Sequence, residues 1–117
     1  MSNFFVLFFL TNVIRILIFL IKAEEFMIKK IILYGRVQGV GCRGYTASCA
    51  KKLGLRGAAS NMRDGTVEII IEADSMDKIK SYTNILLSNP YGFYFHGRID
   101  RYTLEDYSGP VRGDYRF

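Results

Sequence analysis

The sequence contains few of the residues that build metal sites and covalent cross-links. Its 117 residues include two cysteines, one histidine and no tryptophan. On one helix, Cys42 and Cys49 would lie about 10 Å apart, which is too far for a disulfide bond. With His96 as the single histidine, no group of residues has the spacing of a zinc site. We therefore expect a protein without disulfide bonds, metal or other cofactors, suited to the reducing cytoplasm.

The chain also lacks runs of like charge. It has 16 Lys and Arg residues against 11 Asp and Glu residues, a net charge of +5. The basic residues are spread singly and in pairs, which is typical of a solvated surface. A positive net charge favours anionic partners through attraction, either a nucleic acid or a small phosphorylated metabolite. The length fits one domain with a modest core.

One long apolar run lies near the N-terminus. Residues 4–21 are apolar apart from Thr11, Asn12 and Arg15 and are long enough to span a bilayer. A secretory signal peptide is disfavoured, because no positive charge precedes the run and no small-residue cleavage site follows it. A real membrane anchor would hold the domain on the inner face of the membrane, since lysines follow the run.

The favoured interpretation of this run is a mis-assigned start. Residues 23–26 can be encoded by a purine-rich sequence of the kind that precedes a start codon, which would then be Met27. The Phe, Ile, Leu and Asn composition upstream is what AT-rich DNA gives when it is read in frame. We therefore divide the chain into an apolar extension, residues 1–26, and a domain, residues 27–117, with the anchor over residues 4–21 as the alternative.

A glycine-rich loop is the most informative segment. It follows the apolar residues Ile31-Ile32-Leu33 and precedes a helical pattern. Glycines let a backbone turn with its N–H groups pointing inward, and such a loop at a helix N-terminus binds anions. The guanidinium of Arg43 matches the oxygens of a phosphate or carboxylate. Taken alone, such loops often only turn a corner. The predicted phosphate-binding loop consists of Gln38, Gly39, Val40, Gly41, Cys42 and Arg43.

A second segment resolves this ambiguity. Asn61 ends a short predicted strand, just before an Asp64-Gly65 hairpin turn. Together the two segments resemble the acylphosphatase family, whose signatures read approximately G-x-V-Q-G-V-x-F-R and N-x-x-D-G-x-V. The matching residues are Gly35, Val37, Gln38, Gly39, Val40 and Arg43 in the first signature, and Asn61, Asp64, Gly65 and Val67 in the second.

The resemblance implies a hydrolase that cleaves the carboxyl–phosphate bond of acyl phosphates. In that case the loop binds the phosphoryl group, Arg43 stabilises its charge, and Asn61 holds the attacking water. Arg43 and Asn61 are thus the predicted catalytic residues. The expected partners are a small acyl phosphate and inorganic phosphate, as product and inhibitor, with no nucleic acid. A cytoplasmic monomer is expected.

From Met27 onward the pattern alternates between strand and helix. Strands are predicted at 28–37 and 55–61, in a third segment that begins at Val67, in a fourth that contains Phe95, Gly97 and Ile99, and in a short edge segment at 114–117. Helices are predicted over Cys42 to Leu53 and after an N-cap at Asp74 or Ser75. The order βαββαβ predicts an α+β ferredoxin-like sandwich, an antiparallel sheet with both helices on one face.

Several positions depart from the family pattern. Cys42 replaces the usual Phe beside the arginine, Ala58 stands where a large aromatic is common, Ser60 where a basic residue is frequent, and Ala73 where Gly is usual. A nucleophilic role for Cys42 is disfavoured, because the C-x5-R spacing of cysteine phosphatases is absent. We therefore expect Cys42 to be a small packing residue.

An alternative function is a non-catalytic ferredoxin-like module that binds an anion or single-stranded RNA. An RNA-binding sheet of this type carries aromatic side chains on its two central strands. The first predicted strand instead carries Ile31, Leu33 and Val37. A third hypothesis, a phosphate sensor anchored at the membrane, requires residues 1–26 to be present.

Overall fold

The computed structural model describes residues 2–25 and 27–117. Its helices are α1 (Ser2–Glu25), α2 (Cys42–Lys52) and α3 (Met76–Ser88), and its strands are β1 (Met27–Arg36), β2 (Arg56–Asn61), β3 (Val67–Ala73), β4 (Arg98–Asp106) and β5 (Tyr115–Arg116). From β1 to β4 the order is βαββαβ, as the sequence predicts.

The strands form one antiparallel sheet in the order β4-β1-β3-β2-β5. The two central strands are the apolar ones, with Ile31 opposite Ile69 and Leu33 opposite Val67. The predicted edge strand is confirmed as β5, which pairs with Ala58 and Ala59 of β2. The ferredoxin-like α+β fold is therefore confirmed.

One face of the sheet packs against α2 and α3. Alternate residues of a strand share a face, and Val67, Ile69 and Ile71 of β3 belong to the same buried cluster as residues of both helices. Two buried tyrosines link the helices: Tyr45 of α2 donates to the Leu86 carbonyl at 2.7 Å, and Tyr82 of α3 donates to the Thr46 carbonyl at 2.9 Å. These hydrogen bonds fix α2, and with it the glycine loop that precedes it.

The helix boundaries follow local sequence signals. Ser75 caps α3, because its hydroxyl accepts a hydrogen bond from the Lys78 backbone N–H at 3.3 Å. Asn89 ends α3 in the left-handed conformation, with φ of 45°. Lys51 and Lys52 lie in the last turn of α2, where positive charge interacts favourably with the negative end of the helix dipole.

The segment that follows β4 covers part of the opposite face of the sheet. Glu68 is buried there, with Arg112 Nε 3.6 Å from its carboxylate. Gly113 lies directly on the sheet, since a β-carbon on it would stand 2.7 Å from the Cβ of Ala58. A large aromatic side chain at position 58 would occupy this space. The small Ala58 therefore lets the C-terminal segment lie flat on β2.

The predicted start of the fourth strand is wrong. Residues 93–97 are irregular, and β4 begins at Arg98. The backbone N–H of His96 donates to the Val40 carbonyl at 3.0 Å instead of joining the sheet. The Phe95 ring stacks on Tyr45 of α2, with 4.7 Å between the ring centroids. Phe95 thus packs against α2 and His96 bonds to the glycine loop, which removes both residues from the strand.

Helix α1 precedes the sheet and carries exposed apolar side chains. Phe5, Phe8 and Phe9, for example, are 73%, 61% and 66% exposed. Across the described ranges 2–25 and 27–117, no helix combines the length and apolarity needed to cross a membrane.

Candidate active site

The glycine loop between β1 and α2 has the backbone geometry of an anion site. Gly39 and Gly41 have φ of 72° and 81°, left-handed values that favour glycine. Gly41 is the N-cap of α2 and, as a glycine, has no side chain that could accept a hydrogen bond from the first N–H groups of the helix. The first bond of the helix runs from the Tyr45 N–H to the Gly41 carbonyl at 3.0 Å. Helix geometry therefore leaves three N–H groups without an intrahelical acceptor, those of Cys42, Arg43 and Gly44.

Gln38 connects this loop to the β2–β3 hairpin. Its side-chain amide donates to the Met62 carbonyl at 2.6 Å and to the Thr66 carbonyl at 2.9 Å. Both acceptors lie in the turn that follows Asn61. The Gln38 side chain thus fixes the distance between the predicted phosphate loop and the hairpin, a role that the sequence pattern does not reveal.

The hairpin itself is built around Asp64. The Asp64 carboxylate accepts hydrogen bonds from the Thr66 backbone N–H at 3.0 Å and from the Thr66 hydroxyl at 2.6 Å. These two bonds hold the pKa of Asp64 below its ordinary value. Gly65 takes the left-handed conformation of the turn, with φ of 91°. The N-x-x-D-G motif is therefore a rigid turn that presents Asn61 at the end of β2.

A cavity of about 480 Å³ lies at the start of α2 and brings the two predicted catalytic residues together. Arg43 and Asn61 both line it, although 18 positions separate them in the sequence. Four of the six predicted loop residues also line it: Gly39, Gly41, Cys42 and Arg43. Gln38 holds the hairpin instead, and Val40 is buried in the core, where its carbonyl accepts the hydrogen bond from His96.

The Arg43 guanidinium has an acidic neighbour. Its Nη1 atom lies 3.1 Å from Oδ2 of Asp114, and both side chains are partly exposed, at 39% and 56%. The backbone N–H of Asp114 donates to the Ser60 hydroxyl at 3.2 Å, which holds the C-terminal segment against β2. Asp114 is not among the residues that line the cavity. Asp114 was not identified from the sequence. The one feature that indicated a contact here was Ser60, which stands where the family frequently has a basic residue.

Cys42 lines the cavity, but its thiol is held in the protonated form. The residue is 2% exposed, and burial, with a smaller contribution from neighbouring Cys49, raises the pKa of Cys42 to about 12. The thiolate is the nucleophilic form of cysteine. This environment favours the packing interpretation of Cys42.

His96 makes contacts that are structural. Its ring lies edge-on against Tyr94, with 4.4 Å between the ring centroids. Across the part of the chain that the structure describes, no three His, Cys, Asp or Glu side chains come together as metal ligands.

Comparison with known proteins identifies a matching family and several relatives. A family model described as Acylphosphatase matches residues 29–116. An acylphosphatase of Mannheimia succiniciproducens is 41% identical over 81 residues, 69% of this chain and 84% of that relative. The crystal structure of acylphosphatase from Bacillus subtilis has a TM-score of 0.59 at 30% identity, covering 78% of this chain and 94% of that chain. An acylphosphatase structure from Coxiella burnetii, at 22% identity and a TM-score of 0.60, covers 74% and 85% and is similar in fold.

Proposed function

This chain belongs to the acylphosphatase family and hydrolyses acyl phosphates, and from that premise we propose that Arg43 and Asn61 carry the reaction. The observation that supports this assignment is the cavity at the start of α2. Both side chains line it, together with the glycines whose backbone forms the predicted anion site. An arginine at a helix N-terminus is electrostatically unfavourable unless anions lie nearby, and Asp114 provides one contact, at one edge of the guanidinium.

The loop and Arg43 bind the phosphoryl group. The free N–H groups at the start of α2 point at one side of the anion, and the α2 dipole favours negative charge there. A guanidinium has five N–H donors, of which Arg43 gives one to Asp114. The remaining donors are available for the equatorial oxygens, where charge accumulates in the transition state.

Asn61 places the attacking water. The water oxygen forms a bond to phosphorus while the bond between phosphorus and the carboxyl oxygen breaks. The leaving carboxylate departs without a proton, and the water proton passes to solvent. Because the leaving group is good, the reaction depends mainly on positioning and charge stabilisation. The Asp64 turn and Gln38 support this role, because they fix the end of β2 relative to the loop.

Asp114 positions Arg43. Its carboxylate contacts one edge of the guanidinium from outside the cavity lining. It therefore restricts the arginine rotamers without occupying the space of the phosphate.

The positions of these residues also divide the chain. All the proposed site residues lie between positions 38 and 114, so residues 27–117 form the catalytic domain and residues 1–26 an extension. Two free, buried cysteines suit a reducing cytoplasm. A monomer is sufficient for catalysis, because one chain supplies every proposed site residue.

Steady-state kinetics with acetyl phosphate test the assignment. Arg43→Gln should lower kcat/KM by at least about 100-fold, as loss of a desolvated charge contact does. Asn61→Ala should lower kcat about 10²–10³-fold, as loss of one oriented polar group does. Arg56→Gln, which removes an exposed arginine at the other end of β2, is the matched control and should stay near the parent rate. Full turnover by either site variant would remove that residue from the mechanism.

A further inference from the structure

The backbone conformation of α2 does not require a glycine at position 44. Gly39 and Gly41 take left-handed conformations, whereas Gly44 does not and lies in the first turn of the helix. Glycine is less favourable than alanine inside a helix, because it loses more conformational freedom on folding. What a glycine provides at position 44 is therefore open space beside the helix.

The hydroxyl of Tyr115 borders this space. Its oxygen is 3.7 Å from the place where a β-carbon on Gly44 would stand. A β-carbon tilts toward the helix N-terminus, so the hydroxyl lies beside the first turn, where the Gly44 N–H has no intrahelical acceptor. Because that β-carbon and the amide nitrogen share one Cα, the hydroxyl oxygen is within about 6 Å of the Gly44 nitrogen. A long side chain at position 44 would fill this gap.

The backbone that carries Tyr115 is fixed on both sides. Its own strand, β5, pairs with β2. Before it, the Asp114 N–H donates to the Ser60 hydroxyl at 3.2 Å. After it, Phe117 and Gly57 exchange two backbone hydrogen bonds of 3.0 and 3.1 Å. The Tyr115 side chain therefore starts from an ordered backbone, which limits the entropy lost when its hydroxyl binds a ligand.

The Tyr115 hydroxyl is available as a donor. Within residues 2–25 and 27–117, the hydroxyls of Tyr45 and Tyr82 donate to backbone carbonyls, whereas the Tyr115 hydroxyl has no hydrogen-bond partner. Tyr115 lines the same cavity as Arg43 and Asn61, and 41% of it is exposed. A phenolic O–H can donate one hydrogen bond. The cavity wall thus contains a neutral donor in addition to the guanidinium.

We propose that Tyr115 is a further catalytic residue, whose hydroxyl donates a hydrogen bond to the phosphoryl group bound at the start of α2. This inference rests on the proposed function, because it takes the phosphoryl group to lie at the glycine loop and Arg43. Hydrogen bonds of about 2.7–3.0 Å from the hydroxyl and from the Gly44 N–H to two oxygens of one phosphoryl group span the distance between these donors. The bond strengthens as charge accumulates on the oxygens in the transition state, and no proton is transferred.

Tyr115→Phe, made in the full chain, removes the hydroxyl and keeps the ring. Its kcat/KM for acetyl phosphate should fall about tenfold, because a hydrogen bond to a charged group is lost. In calorimetry it should bind inorganic phosphate at least about threefold more weakly than the parent. The matched control is Tyr102→Phe, on a β4 tyrosine that is 36% exposed and does not line the cavity, and it should match the parent in both measurements. The urea midpoint should stay unchanged in both variants, which separates a lost contact with the ligand from a loss of structure.

A second substrate separates a contact with the phosphoryl group from a contact with the acyl group. Benzoyl phosphate has the same phosphoryl group as acetyl phosphate, so Tyr115→Phe should lower kcat/KM by the same factor for both. A loss confined to one substrate, or parent values of kcat/KM and phosphate affinity in Tyr115→Phe, would overturn the assignment. If Arg43→Gln is impaired while Tyr115→Phe is not, only the assignment of Tyr115 fails. If Arg43→Gln is as active as the parent, the proposed function fails and the role of Tyr115 fails with it.

Discussion

The contact between Asp114 and Arg43 yields a sharp prediction, tested by Asp114→Asn. The substitution keeps the size of the side chain and the backbone hydrogen bond to Ser60, and removes only the charge. The contact is a single one, 3.1 Å long, between side chains that are 39% and 56% exposed. Such a pair contributes at most about 1 kcal/mol to stability. The free energy of unfolding should therefore change little.

The catalytic effect should be larger than the stability effect, because Arg43 must hold one orientation in the transition state. We expect Asp114→Asn to lower kcat/KM for acetyl phosphate about threefold to tenfold, a loss of about 0.7–1.4 kcal/mol of transition-state binding. The matched control is Asp106→Asn, which removes an exposed carboxylate that pairs with Lys29. Both variants raise the net charge from +5 to +6, so long-range attraction of the substrate is the same in each. An equal response in the two variants, or tighter phosphate inhibition in Asp114→Asn, would refute the positioning role.

The remaining predictions concern the thiols, the hairpin and the extension. Cys42→Ser should retain activity; complete inactivation with the fold intact by circular dichroism would restore the nucleophile hypothesis. Burial raises the pKa of Cys42 to about 12 and that of Cys49 to about 11. Since unfolded thiols ionise near pH 9, stability should fall between pH 9 and pH 11 in urea titrations, and less so in a variant lacking both thiols. Gln38→Ala removes two hydrogen bonds, each contributing about 0.5–1.5 kcal/mol, and should lower both the urea midpoint and kcat; unchanged kcat would contradict the link to Asn61. Removing residues 1–26 deletes two charges of each sign, so the net charge and kcat/KM should be unchanged. A large loss of kcat/KM would show that residues 1–26 form part of the site.

The sheet and the glycine loop were predictable because local signals determine them. Alternating apolar residues in β3, the Asp64-Gly65 turn and the Ser75 cap each act within a few positions of the chain. The glycine loop needs left-handed conformations at Gly39 and Gly41, which the residue type itself allows.

The contacts that complete the site were not predictable in this way. Asp114 reaches Arg43 across 71 positions, and no periodic pattern indicates such a pair. Phe95, Gly97 and Ile99 alternate with polar residues as in a strand, but the His96 N–H donates to the Val40 carbonyl of the glycine loop. Ser60 was recognisable only as a departure from the family pattern. Its function follows from the C-terminal segment, where the Asp114 backbone N–H donates to the Ser60 hydroxyl.

Direct binding of inorganic phosphate tests the central assignment most simply. Calorimetry on the parent, Arg43→Gln and Asn61→Ala separates the two proposed roles without turnover. The parent and Asn61→Ala should bind phosphate with similar affinity, since Asn61 acts on water, and Arg43→Gln should bind it at least about 100-fold more weakly. Equal phosphate affinity in all three proteins would contradict the account, because the anion site would then lie away from Arg43.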